Sequence, residues 1–147
     1  MAPGDGPWGT MVTVDGAERR RRWVVDGNNV FGSRPDGWWN DRGAAMARFT
    51  QAVAEWCRTH RDDVIVVFDP PVPAAVVALG GGNLRVEAAP RHGRDAADHR
   101  IAELVAAAAT PGSGAITVVT GDRGLQQRLA GAATIESPTR FRTRIGY

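Results

Sequence analysis

Two stretches of this chain, Val64 to Phe68 and Ile116 to Val119, are short, nearly unbroken apolar runs rich in β-branched residues. A strand that covers only one face of a sheet alternates apolar with polar residues. A continuous apolar run of about four to eight residues suits a strand covered on both faces. Between the runs the period changes. Met46, Phe49, Val53, Trp56 and Cys57 recur at helical spacing, as do Ile101, Leu104, Val105 and Ala108, so each set forms one buried stripe of a helix. Strands alternating with amphipathic helices predict a three-layer α/β/α domain around a mainly parallel central sheet of about five strands.

The expected strands are Trp23 to Val25, Val64 to Phe68, Leu84 to Ala88, Ile116 to Val119 and Ala133 to Glu136. Asp41 is placed to cap a long helix ending near His60. Shorter helices are expected over Ala74 to Leu79, Asp95 to Ala109 and Arg123 to Ala130, with a terminal one opened by the cap-and-first-turn pair Ser137-Pro138. Asp26 to Asn29 reads as a turn and Gly32 to Asn40 as a loop. Residues 1–18, rich in Gly, Pro and Asp, read as a flexible or irregular segment ahead of a single domain over residues 19–147.

At 147 residues with 43% hydrophobic and 23% charged content, one folded core is expected and wholesale disorder is excluded. No apolar run approaches the roughly 20 residues that span a bilayer, and the first residues do not resemble a signal peptide. The single cysteine, Cys57, can make no internal disulfide. Together these predict a cytoplasmic protein with no membrane partner. All 18 basic residues are arginine. They crowd at Arg19 to Arg22 and again from Arg123 onward, where Glu136 is the lone acid. A solvated charged face or an anionic partner accounts for that pattern equally well.

Three strands run into an aspartate: Asp26, Asp69 and, after Thr120-Gly121, Asp122. A parallel sheet brings its carboxyl ends to one edge, which is where ligands bind in open sheets of this type. Asp98, in the first turn of the helix after the third strand, emerges onto the same edge. Two carboxylates about 6 Å apart repel by roughly 3 kcal/mol at an effective dielectric of 20, so such a cluster calls for bound cations. Hard oxygen donors without a Cys or His cluster favour Mg²⁺ or Mn²⁺ over Zn²⁺. Singly, each acid is also an ordinary turn or cap residue. Asp122 is placed to cap the following helix, Asp95 suits the cap of the helix that carries Asp98, and Asn29 either closes the turn after the first strand or orients a water.

In order and spacing, Val24-Val25-Asp26-Gly27-Asn28-Asn29, Val66-Val67-Phe68-Asp69, Ala97-Asp98-His99-Arg100-Ile101 and Val118-Val119-Thr120-Gly121-Asp122-Arg123 resemble the YacP-like branch of the NYN-domain nucleases, within the wider PIN-like fold. The resemblance covers Trp23 to Glu136. It implies a metal-dependent ribonuclease that uses one or two Mg²⁺ or Mn²⁺ ions; an endonuclease on single-stranded RNA is the expectation, with exonuclease action left open. It further implies a carboxylate site of Asp26, Asp69, Asp98 and Asp122, with Asn29 at the family's asparagine and Asp26, Asp98 and Asp122 as primary metal ligands.

An acidic cleft repels a polyanion, so positive groups must hold the RNA beside it. Arg34, Arg42, Arg91, Arg94, Arg100 and Arg123 lie on segments expected to border the strand ends, and arginine grips phosphate bidentately. Trp38 and Trp39 suit a stacking platform for unpaired bases, with one of the two expected to pack as core. The competing reading is a PIN-like module that binds RNA or a protein without cleaving. A small-molecule phosphatase of the haloacid-dehalogenase type needs a second aspartate where this chain has Asn28. A homodimer or an inhibitor protein is left open as a protein partner.

Overall fold

The computed structural model describes residues 7–8, 21–90, 93, 95–108 and 116–147. Five strands, β1 (Arg22–Asp26), β2 (Asp63–Phe68), β3 (Leu84–Ala88), β4 (Ile116–Val119) and β5 (Thr134–Glu136), form one sheet in the order β3-β2-β1-β4-β5. All four pairings are parallel. The register sets Asp26 beside Val67 and Val25 beside Val119, so the strands end nearly level. Among the described residues five α-helices lie between the strands, α1 (Gly27–Gly32), α2 (Arg42–Thr59), α3 (Ala74–Val77), α4 (Ala96–Ala108) and α5 (Arg123–Arg128), and α6 (Pro138–Ile145) follows β5.

The continuous apolar runs have the cover they need. On one face Trp23, Val25, Val64, Val66, Phe68 and Val119 pack against α2 and Phe141 of α6. On the other, Val24, Ile65, Val67 and Val118 meet Ile101, Leu104 and Val105 of α4 and Leu125 of α5. Each such side chain, taken fully from water, contributes about 1.5 to 3 kcal/mol. Asp41 caps α2, accepting from the Ala44 amide at 3.0 Å. Ser137 caps α6 with Pro138 in its first turn.

The sequence reading differs from the structure in two elements and a few boundaries, the first being a 3₁₀ turn over Trp38–Asn40 within the segment read as loop. Asp26 to Asn29 is no open turn, because α1 starts at Gly27 directly from β1. Gly27 makes the close entry possible, since a β-carbon there would overlap the Phe68 ring. Helices α3 and α5 stop two residues early, at Val77 and Arg128. Of the segment 1–18, all but Pro7 and Trp8 lie outside the described residues, as do Arg91 and Arg94. Trp8 is buried. Its indole donates to the Leu104 carbonyl at 3.1 Å, Arg22 lies over its ring, and Arg85 Nη1 donates to the Pro7 carbonyl. Among the described residues no helix is long and apolar enough to cross a membrane.

Candidate functional site at the carboxyl edge of the sheet

The edge is assembled by the residues that follow β1. Asn28 and Asn29 point to opposite neighbours: Asn28 Oδ1 accepts from the Asp69 amide at 2.8 Å, just past β2, and Asn29 Oδ1 accepts from the Gly121 amide at 2.7 Å, just past β4. Two adjacent asparagines thus fasten the strands on either side of β1. Asn29 therefore joins two strand ends; it is not closing a local turn.

The acids are positioned by the same economy of short contacts. Asp26 is buried, and its Oδ2 accepts from the Thr120 hydroxyl at 2.9 Å. Thr120 Oγ1 in turn accepts from the Asp122 amide at 3.1 Å, so one hydroxyl links two of the acids. Asp122 Oδ1 caps α5 at the Leu125 amide, 3.0 Å away. Asp69 Oδ1 accepts from the Ala97 amide at 3.2 Å, which pins the first turn of α4 to the end of β2 and brings Asp98 to the edge. The prolines after Asp69 do not turn its side chain away. Asp26, Asp69 and Asp122 each use one carboxylate oxygen in these bonds, and a second oxygen remains on each.

Two of the four aspartates, Asp26 and Asp98, are raised by their surroundings. Burial pushes the Asp26 carboxyl up to about 7, and Asp98, Asp69 and Asp122 add to the rise, while the Thr120 hydrogen bond opposes it. Burial likewise lifts Asp98 to about 6, reinforced by Asp122, Asp95 and Asp69 and opposed by Arg128. A cleft of about 370 Å³ opens over this edge, lined by Asp95, Asp98, His99, Asp122 and Arg128 among others. Among the described residues no three His, Cys, Asp or Glu side chains stand close enough to form a ready-made metal cage. The donor set is nonetheless all carboxylate oxygen, the kind Mg²⁺ or Mn²⁺ takes by one or two residues while keeping waters and recruiting substrate phosphates. It fits such an ion and does not fit a closed structural site.

No family model matches the chain, and no curated protein matches it. Solved structures do. A tryptophan-to-leucine variant of Rae1 (YacP) from Bacillus subtilis superposes with a TM-score of 0.68 at 26% identity, over 86% of this chain and 75% of that one. The unsubstituted protein superposes with the same score and identity, over 84% and 72%. The fold is YacP-like.

Within this YacP-like frame the arginines expected at the rim have different surroundings. Arg100 is committed to β3, its Nε and Nη2 donating to the two oxygens of Glu87 at 2.8 and 3.1 Å. Arg34 lies over the Tyr147 ring, 4.4 Å from its centroid, and 3.7 Å from Asp36. Arg42 and Arg123 are exposed at the starts of α2 and α5. The tryptophans separate by burial. Trp38 is half-buried edge-on against Phe31, with centroids 5.8 Å apart, whereas Trp39 is 61% exposed.

Sequence reasoning missed Thr120 and Asn28. Thr120 lies inside the Val118 to Arg123 motif, but only its acid, Asp122, was read as a site residue. A signal for Asn28 was present in the Asn28-Asn29 doublet itself, since two adjacent amides after a central strand can reach both flanking strands.

Proposed function

We propose that this protein is a metal-dependent ribonuclease of the NYN type, an endonuclease that hydrolyses single-stranded RNA. The observation that supports it is the convergence of Asp26, Asp69, Asp98 and Asp122 on one edge of a YacP-like sheet, where two of them are lifted far above the ordinary carboxylate range. Asp26, buried, and Asp98, half-buried, are raised at the edge where Asp69 and Asp122 also lie, an arrangement best accounted for by a function that needs their charge.

Asp26, Asp98 and Asp122 would hold Mg²⁺ or Mn²⁺, with Asp69 and Asn29 at the border of the site. When bound, the ion would acidify a water and neutralise charge on the scissile phosphate. Thr120 fixes Asp26 through Oδ2, so the other carboxylate oxygen is presented in one orientation. Asp122 is held likewise by the Leu125 amide. Arg123, exposed beside Asp122, offers a charge to an RNA phosphate, and Trp39 offers an uncovered ring to an unpaired base.

The test is cleavage of a fluorescent single-stranded RNA in Mn²⁺ and in EDTA, by the native protein and by Asp98→Asn. Cleavage in Mn²⁺ alone, lost in the variant, is the expected result. The lack of a ready-made three-ligand group among the described residues favours the competing reading, an RNA-binding module without catalysis. RNA bound but left intact in Mn²⁺ would select that reading.

A further inference from the structure

A second cleft, of about 500 Å³, lies on the face of the sheet that α6 covers only in part. Its wall includes Arg21 from just before β1, Arg140 and Arg144 from α6, Thr117 and Thr134 from β4 and β5, and Gln126 from α5. The register aligns Trp23, Thr117 and Thr134 in one row, and Thr117 is the one polar residue of an otherwise apolar β4.

The three arginines are not equivalent. Arg144 is occupied: its Nε and Nη2 donate to the two oxygens of Glu136 at 3.1 and 2.5 Å, and its guanidinium lies over Trp23. That pairing neutralises the carboxylate within the cleft. The nearby Asp62 accepts from the Trp23 indole at 2.9 Å and from the Arg21 amide at 3.4 Å. Even with Asp62 included, the arginines exceed the acids. Arg140 has no ion-pair partner among the described residues, and Arg21 has its guanidinium 5.6 Å from the Trp23 centroid. Two planar guanidiniums lining one cleft with Thr117 and Thr134 suit a phosphate group, which arginine holds through paired N–H donors.

The position connects this cleft to the acids. Gln126 Nε2 donates to the Thr120 carbonyl at 3.0 Å, and the Thr120 hydroxyl holds Asp26. Helix α5 stands between the two clefts, with Gln126 on one wall and Asp122, Leu125 and Arg128 on the other.

We propose that the cleft between α6 and β5 is a second anchoring site, in which Arg21 and Arg140 hold a phosphate of the RNA strand whose scissile bond lies at the acids. This rests on the reading of RNA as substrate. The chemistry is that of a phosphate group, which a free nucleotide shares with a strand.

Isotope-labelled protein is titrated in EDTA with inorganic phosphate, with a nucleoside 5′-monophosphate and with a short single-stranded RNA. The comparison proteins are Arg140→Ala and Arg21→Ala. The RNA is expected to shift the Thr134, Ile135 and Arg140 resonances and to bind more tightly than the mononucleotide. Each substitution should weaken RNA binding by about tenfold, the worth of one charge-assisted hydrogen bond, and should lower the salt slope by about 0.7. Equal affinity for nucleotide and strand would overturn strand anchoring in favour of a free-nucleotide site. RNA binding that neither substitution weakens would overturn the cleft while leaving the ribonuclease reading intact. Weakened binding by both variants, in a protein that never cleaves RNA, would support the cleft and overturn the ribonuclease.

Discussion

Asp26 carries a cost that the rest of the chain supports. Its carboxyl, ordinarily near 3.8, is raised to about 7 in the fold, so between those two pH values the folded state binds a proton that the unfolded state has released. Stability therefore falls as pH rises through that window and levels off above about 7. In EDTA at pH 8, Asp26→Asn is expected to melt higher than the native protein, by an amount reflecting about 4 kcal/mol at most, because the amide oxygen still accepts from Thr120. At pH 4 the two should melt together. Thermal denaturation at both pH values checks this, and a variant less stable at pH 8 would show that the charge is structural. The two tryptophans divide along the same line between fold and function. Trp39→Ala should weaken binding of single-stranded RNA by about 1 to 3 kcal/mol with the salt slope unchanged, because stacking releases no counterions. Trp38→Ala should instead lower the melting temperature, since its ring packs on Phe31. Fluorescence anisotropy and calorimetry on both variants separate the two roles.

Elements whose pattern is local were legible in the sequence. The β2 and β4 runs are apolar but for Asp63 at the start of β2 and Thr117 in β4, because helices cover both faces, and the Asp41 and Ser137 caps sit where their side chains reach the third amide onward. Helix α1 was not legible. Gly and Asn are poor helix formers, and its six residues are held by contacts to Asp69 and Gly121, 41 and 92 positions away. That the acids lie toward one edge could be read from parallel strands and the start of α4, whereas the bonds that aim Asp26 and Asp69 could not, because each depends on a distant partner. Arg100 illustrates the limit: its spacing placed it at the rim, yet only the structure pairs it with Glu87. Asn28→Ala is expected to destabilise by about 1 to 3 kcal/mol, the cost of leaving the partly buried Asp69 amide unpaired, and Asn29→Ala by less, because the Gly121 amide is open to water. Urea denaturation of the two single variants measures it. A loss well below about 1 kcal/mol for Asn28→Ala would mean that water replaces that clamp too.

For the molecule as a whole, the proposed metal site would make ion binding and proton release one event. A cation bound there would displace the protons held by Asp26, raised to about 7, and Asp98, raised to about 6, so Mn²⁺ affinity should rise with pH between about 5 and 8. Calorimetry at pH 6 in two buffers of different ionisation enthalpy should show protons released, and should show weak binding without RNA. An affinity independent of pH would place the ion elsewhere. The paired asparagines have a consequence on a slower clock. The Asp69 and Gly121 amides lie past the ends of their strands, where backbone hydrogens ordinarily trade with solvent within moments, yet each donates to an asparagine oxygen anchored beside the central strand. In deuterated water the part-buried Asp69 hydrogen should persist nearly as long as those of the sheet interior and the exposed Gly121 hydrogen for less time, marking the β2 side of the acid edge as one of the last parts of the molecule to open.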